Sequence, residues 1–298
     1  MNRLVLFFLA SALLAACNNT GKEAGTSSAA PAPNNGPDTI NFAVVKAYPH
    51  DTSAYTEGFL FHDGQLFEST GTEYSTMPHT RRSLFGSVDL ATGKIDPKAE
   101  LDRTKYFGEG IVFLHDKIYQ LTYRTKIGFI YDAKTYKKIG EFTFPSKEGW
   151  GMTTDGKYII MSDGTSNISY LDPDSTHPEQ VDIVFEDSSK TVRTLPSFKL
   201  VKILGVRDNN GYVSDINELE LIKGYFYANR YMKNVILKID PSSGMVVGQM
   251  FFDSLVSEAR TKYADAEVLN GIAYDSTTGK VYVTGKLWPN IYEIKFPF

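Results

Sequence analysis

The chain of 298 residues holds a single cysteine, Cys17. That excludes a disulfide within it and a structural zinc site built on cysteines. Basic runs are also missing: 31 Lys and Arg stand against 35 Asp and Glu, a net charge of -4. Without a basic stripe, nucleic acid is excluded as a partner. Beyond the first 16 residues no apolar stretch is long enough to span a bilayer. No Gly-x-x-x-x-Gly-Lys-Ser/Thr phosphate loop, Gly-x-Ser-x-Gly elbow or His-Glu-x-x-His pair occurs. His50, His62, His79, His115 and His177 are scattered without metal-ligand spacing, so no metal site is expected. His50, beside the first of the loops described below, is expected to be structural and the others to lie on the surface.

The N-terminus has its own chemistry. Arg3 provides a positive start, Leu4 to Leu14 an apolar run, and Leu14-Ala-Ala-Cys17 resembles a bacterial lipobox. Residues 1–16 therefore read as a lipoprotein signal peptide, with the only cysteine at the lipidation position. Residues 17–39, rich in Asn, Ser, Ala and Gly and carrying Pro31, Pro33 and Pro37, read as a flexible tether. The expected location is the bacterial cell envelope, lipid-anchored on the periplasmic or outer-membrane side, with the lipid as the only membrane contact.

From residue 40 to 298, alternating β-branched and aromatic runs dominate. Ile40–Val45, Lys117–Thr122, Tyr158–Met161, Tyr225–Ala228, Val235–Ile239 and Val281–Val283 are examples. Asp63-Gly64, Asp155-Gly156, Asp163-Gly164, Asp172-Pro173, Asp240-Pro241 and Thr278-Gly279 separate such runs as turns. The clearest helical stripe is Leu255–Tyr263. The fold class is all-β.

Five short polar loops each run into an apolar stretch: Tyr55-Thr-Glu-Gly-Phe59, Phe107-Gly-Glu-Gly-Ile111, Glu148-Gly-Trp-Gly-Met152, Ile216-Asn-Glu-Leu-Glu220 and Leu269-Asn-Gly-Ile-Ala273. Their starts, Gly58, Gly110, Gly151, Glu218 and Gly271, lie 52, 41, 67 and 53 residues apart. Units of four short strands at this period read as blades, and five units predict a five-bladed β-propeller. Ile40–Val45 precedes the first unit and is expected to complete the last blade beside Asn290–Lys295. The long third interval places an insertion between Thr176 and Gly211, and Glu73–Ser83 is read as another. A monomer is expected. In a propeller the entry loops crowd one face, which would gather Glu57, Glu109, Trp150, Asn217 and Asn270, with Lys286 and Trp288 reaching the same rim.

These segments resemble the plant-type glutaminyl-peptide cyclotransferases, which also occur in bacteria. The resemblance runs in order from about Ala47 to the C-terminus. It includes His50-Asp51, Leu66-Phe-Glu-Ser-Thr-Gly71, Gln120-Leu-Thr-Tyr123, Ser162-Asp-Gly164, Ala228-Asn229, Val268–Asp275 and Val283-Thr-Gly-Lys286 with Trp288-Pro289, besides four of the five loops. It implies a propeller that converts N-terminal glutaminyl residues of peptides or proteins to pyroglutamyl, releasing ammonia. It further implies Glu109 as the catalytic acid and base, with Asn217 and Lys286 binding substrate. Tyr55, Phe107, Tyr123, Trp150 and Tyr231 would form an aromatic pocket, whose walls would desolvate Glu109 and raise its pKa. No cofactor is required for that chemistry, although a structural calcium in the channel is compatible with it.

The chain departs from the pattern where it has Glu57 in place of the family's Gln, and Tyr123 and Tyr231 in place of Trp. Glu57 would either share a proton with Glu109 or pair with the substrate's α-ammonium. Two further readings compete: a metal-dependent lactonase-like propeller using Glu109, Asn217 and Asn270 as ligands, and a non-catalytic binding propeller of the envelope.

Overall fold

Period-2 alternation puts every second side chain of these runs on one face, so each strand can bury a face against a neighbouring sheet. The computed structural model, which describes residues 36–72 and 81–298, contains twenty-three strands and one helix among those residues. The signal segment 1–16, Cys17, most of the tether and residues 73–80 of the second expected insertion lie outside the described residues.

The described chain opens with β1 (Asp38–Thr39) and β2 (Ala43–Pro49). Four antiparallel meanders follow in chain order. The first is β3 (Thr56–His62), β4 (Gln65–Thr70), β5 (Leu84–Asp89) and β6 (Lys94–Glu100). The second is β7 (Gly108–Leu114), β8 (Lys117–Thr122), β9 (Ile127–Asp132) and β10 (Lys138–Thr143). The third is β11 (Met152–Thr154), β12 (Ile159–Ser162), β13 (Asn167–Val184) and β14 (Lys190–Gly205). A small hairpin, β15 (Arg207–Asp208) and β16 (Gly211–Tyr212), leads to the fourth. That comprises β17 (Ile216–Ile222), β18 (Tyr225–Arg230), β19 (Val235–Ile239) and β20 (Val246–Phe251). After helix α1 (Asp253–Lys262) come β21 (Leu269–Asp275), β22 (Lys280–Gly285) and β23 (Asn290–Lys295). The last sheet has the order β2-β23-β22-β21, so the N-terminal strand does complete it, with Ala43 opposite Lys295 and Pro49 opposite Asn290.

The first strands of the four meanders and of the last sheet follow one another in a closed ring: β3 packs on β7, β7 on β11, β11 on β17, β17 on β21, and β21 on β3. The apolar core divides accordingly. Phe85 and Ile118 share a cluster between the first two meanders, Phe142 and Ile159 one between the second and third, and Ile168 and Phe226 one between the third and fourth. Tyr227 and Tyr292 close the fourth against the last, and Phe59 and Ala273 close the last against the first. Each such fully buried large side chain contributes roughly 1.5–3 kcal/mol. The arrangement is all-β and consistent with a propeller.

Close approach within the ring rests on glycine. A Cβ on Gly110 would lie 2.6 Å from the carbonyl oxygen of Trp150, and one on Gly151 only 2.2 Å from that of Asn217. Both obstacles are backbone and cannot rotate away. Gly151→Ala is therefore expected to cost about 2 kcal/mol or more, lowering the thermal midpoint by roughly 4–8 °C. An unchanged midpoint would contradict the packing described.

Three expectations change. The insertion in the third unit is a long β13–β14 hairpin, and Asp172-Pro173 is not a turn. The ladder shifts register between Asp172 and Thr176, and the strand continues to Val184. A bulge tolerates Pro because it needs no ladder N–H there. The hairpin then folds over the second sheet: Ser197 pairs parallel with Thr143, which fuses the two meanders into one eight-stranded sheet. The far end of the tether is not free either. Asp38 and Thr39 pair with Gly248 and Gln249, because Phe42 stacks on Phe252 at 4.4 Å and draws the segment onto the core. The helix begins two residues before the stripe that announced it, with Leu255, Val256 and Ala259 buried.

Candidate active site

Four of the five first strands carry a register break at their entry. The breaks fall between Thr56 and Gly58, Gly108 and Ile111, Ile216 and Leu219, and Leu269 and Ile272. A bulge sets two residues opposite one and re-aims a side chain off the ladder. The residues re-aimed are Glu57, Glu109, Asn217 and Asn270.

Three of these, Glu57, Glu109 and Asn217, meet with Lys286 around a pocket of about 110 Å³. Its remaining walls are aromatic. Tyr55 and Phe107 are buried and meet edge to face at 6.2 Å. Tyr123, Trp150 and Tyr231 are half-buried at the mouth. Trp150 stands edge-on to Tyr231 at 5.4 Å, and its indole N–H donates to Glu148 Oε2 at 3.0 Å. All nine residues singled out for the site thus line one pocket. Asn270 does not line it. Its amide lies behind Glu57, donating to Thr56 O at 2.9 Å and to Glu57 Oε2 at 3.4 Å. Trp288 does not reach the rim: it is fully buried among Tyr292 and the last sheet's core, with Nε1 donating to Glu267 O at 3.1 Å.

Charge in the pocket is concentrated in three groups. Lys286 Nζ donates to Glu57 Oε1 at 2.5 Å and stands 4.4 Å from the centre of the Tyr55 ring and 5.7 Å from that of Tyr231. Glu57 and Glu109 line the same pocket and influence each other's ionisation. Burial raises both carboxyls, but unequally. Lys286 offsets much of the effect on Glu57, whereas the Glu57 charge adds to it and holds Glu109 well above the ordinary carboxylate range. The proton of the pair therefore sits on Glu109, and Glu57 is the carboxylate paired with Lys286.

Two oxygens in this pocket, Glu109 Oε2 and Asn217 Oδ1, are buried and have no partner. Buried polar atoms are nearly always satisfied, so a bare pair marks a place for a ligand's donors.

Ser69, Gln120, Ser162 and Asn229 lie within the resembling segments, but sequence reasoning gives them no role in holding these groups. Ser69, next to the end of β4, donates to the carbonyl of Glu109 at 2.5 Å, and Gln120 donates to Ser69 at 3.2 Å. Ser162, at the end of β12, donates to the carbonyl of Asn217 at 2.7 Å and accepts from Gly151 N at 2.8 Å. Asn229 in β18 accepts from Gly271 N at 2.8 Å. Each is a polar residue near the end of a second strand, reaching into the bulge of the next sheet. That recurrent position was the available signal. Farther along β17, Glu218 accepts from Phe59 N at 3.3 Å and Ile272 N at 2.8 Å, and Glu220 from Tyr274 N at 3.3 Å. Burial raises both, Glu220 to about 8. They tie first strands together rather than face the pocket. Among the described residues no group of three or more His, Cys, Asp or Glu is placed to hold a metal ion.

The family model described as glutamine cyclotransferase matches residues 13–195 and 177–296. A glutaminyl-peptide cyclotransferase of Arabidopsis thaliana is 35% identical over 254 residues, spanning 85% of this chain and 70% of that protein. The crystal structure of Myxococcus xanthus glutaminyl cyclase is similar at a TM-score of 0.69 and 29% identity, over 87% of this chain and 98% of that one.

Proposed function

The chain belongs to the glutamine cyclotransferase family, and on that premise we propose that it converts N-terminal glutaminyl residues of peptides to pyroglutamyl with release of ammonia. We further infer a five-bladed propeller, supported by the closed ring of first strands and by one apolar cluster between each consecutive pair of the four meanders and the last sheet.

The reaction asks for no protein nucleophile. The substrate's α-amine attacks its own γ-carboxamide carbon, a ring N–C bond forms, and the bond to the leaving nitrogen breaks. One proton leaves the amine and one reaches the departing ammonia. Glu109 can take the first and give the second, and a carboxyl raised by burial has both forms accessible near neutral pH. Lys286 and Asn217 stand where positive charge and an amide would oppose charge growing on the carboxamide oxygen. Tyr55, Phe107 and Trp150 would confine the glutaminyl residue in its folded conformation, which counts heavily in a unimolecular closure. Glu57 is the partner of Lys286 in the free enzyme.

The observation that carries the proposal is the pair of bare buried oxygens on Glu109 and Asn217. A substrate bringing an amine and a carboxamide NH₂ supplies the donors they lack. Ammonia release from a Gln-initiated peptide tests it, with and without excess chelator. Turnover within about twofold in both is expected, since the proposed chemistry uses proton transfer and fixed charge alone. Loss in chelator with restoration by a divalent ion would move the chemistry to a metal.

A further inference from the structure

The mechanism above leaves one buried ion pair without a role. His50 and Glu68 are fully shielded from solvent, and His50 Nε2 contacts both Glu68 oxygens at 3.1 Å. His50 directly follows β2, the outermost strand of the last sheet, and Glu68 lies in β4 of the first. The pair spans the seam where the ring closes.

Its other contacts lead to the pocket. Glu68 Oε1 accepts the Thr56 hydroxyl at 2.7 Å, and Thr56 immediately precedes Glu57. His50 Nδ1 donates to the carbonyl of Trp288 at 2.8 Å, two residues beyond Lys286. Around them His50 N donates to Pro289 O at 3.0 Å, and Leu287 N to Ala54 O at 2.8 Å. One ring nitrogen faces a carboxylate and the other a carbonyl, so both carry protons and His50 is an imidazolium. Burial alone would strip that charge, but the Glu68 carboxylate outweighs it and raises the His50 pKa.

We propose that His50 and Glu68 are positioning residues that hold the Glu57 carboxylate and the Lys286 ammonium in register across the closing seam of the ring. The inference rests on the cyclotransferase reading. Its logic is energetic: a buried ion pair is seldom better for stability than apolar packing of the same volume, whereas fixing one register is a use such pairs serve. Glu57 and Lys286 come from the first and last sheets, and their 2.5 Å contact needs both segments placed together. A displacement on the order of 1 Å at a reacting group can cost about 100-fold in rate.

His50→Gln removes the charge and keeps one donor. It is expected to lower kcat about tenfold or more with KM within about twofold, since the residue touches no substrate. A loosened Glu57 loses the Lys286 charge that favours its ionised form and takes up a proton. Glu109 is then relieved of its neighbour's charge, and the acidic limb of the pH–rate profile moves to lower pH. The charged groups facing the pair on the pocket side are Glu109 and Glu267, and those facing the imidazolium are Glu68 and Asp51.

The test compares pH–rate profiles for wild type, His50→Gln, Glu57→Gln and the double variant, on chains shown folded by circular dichroism. The expected result is a His50→Gln limb displaced toward that of Glu57→Gln, and little further loss when His50→Gln is added to Glu57→Gln. An unmoved limb, or equal losses in both backgrounds, would show a structural role alone and overturn the proposal. If His50→Gln does not fold, His50→Gln with Glu68→Gln removes both charges together and carries the same comparison. A wild type without turnover refutes the cyclotransferase reading, whereas an active wild type with an unmoved limb refutes only the positioning role.

Discussion

Glu109→Gln is expected to lower kcat for cyclisation by roughly 10²–10⁴-fold while leaving the fold intact. The side chain is isosteric, and the Ser69 bond that fixes this strand entry goes to the backbone carbonyl of residue 109, which the substitution keeps. An amide of the same size still lines the pocket with Phe107 and Trp150. What it cannot do is carry a proton from the amine to the leaving nitrogen. KM should move far less than kcat, as when an interaction made only in the transition state is removed. Steady-state kinetics with a Gln-initiated peptide, beside thermal unfolding, give the answer. Wild-type turnover in the variant would remove Glu109 from the mechanism.

Glu57→Gln should change the pH dependence more than any other single substitution in the pocket. In the native chain Glu57 is paired with Lys286, and its charge is one reason Glu109 holds its proton well above the ordinary carboxylate range. With Gln there, that repulsion is gone and Lys286 acts on Glu109 unopposed. Both changes favour the ionised carboxylate. The base form then appears at lower pH, so the acidic limb of kcat should move down by at least about one pH unit, equivalent to about 1.4 kcal/mol. At pH below neutral the variant should outpace the native chain. Deprotonation of the substrate's own α-ammonium, with a pKa of about 8, raises the rate with pH in both chains alike and should hardly change. Superimposable profiles would mean that Glu57 and Glu109 do not share their electrostatics.

Much of this site could be read from the chain. Motifs such as Phe107-Gly-Glu-Gly-Ile111 and Glu148-Gly-Trp-Gly-Met152 combine a polar group with small residues ahead of an apolar run, and that grammar implies convergence on one face. Glu57, Glu109, Trp150 and Asn217, read from these loops, line the pocket with Lys286, and so do Tyr55, Phe107, Tyr123 and Tyr231, which the family resemblance implied. The contacts that set their electrostatics were less legible. The Lys286–Glu57 bond joins residues 229 apart, and no local pattern distinguishes that pair from two solvated charges. The sequence places Trp288 at the rim beside Lys286. Alternation does not apply there, because Leu287 adopts a left-handed φ of 60° and the chain turns the indole into the core. Asp172-Pro173 carried a turn signal, yet a register shift absorbed the proline. In each case tertiary packing overrode a local preference, as it commonly does where an element meets a bulge.

The most direct test of the account is to identify the product that the purified chain makes from two peptides, one beginning with free glutamine and one with the same residue N-acetylated. Mass spectrometry should show loss of one ammonia from the first and no change in the second, because the substrate's own amine is the nucleophile. Conversion of the blocked peptide, or glutamate in place of pyroglutamate in the free one, would mean that water attacks the carboxamide and that the pocket does something else.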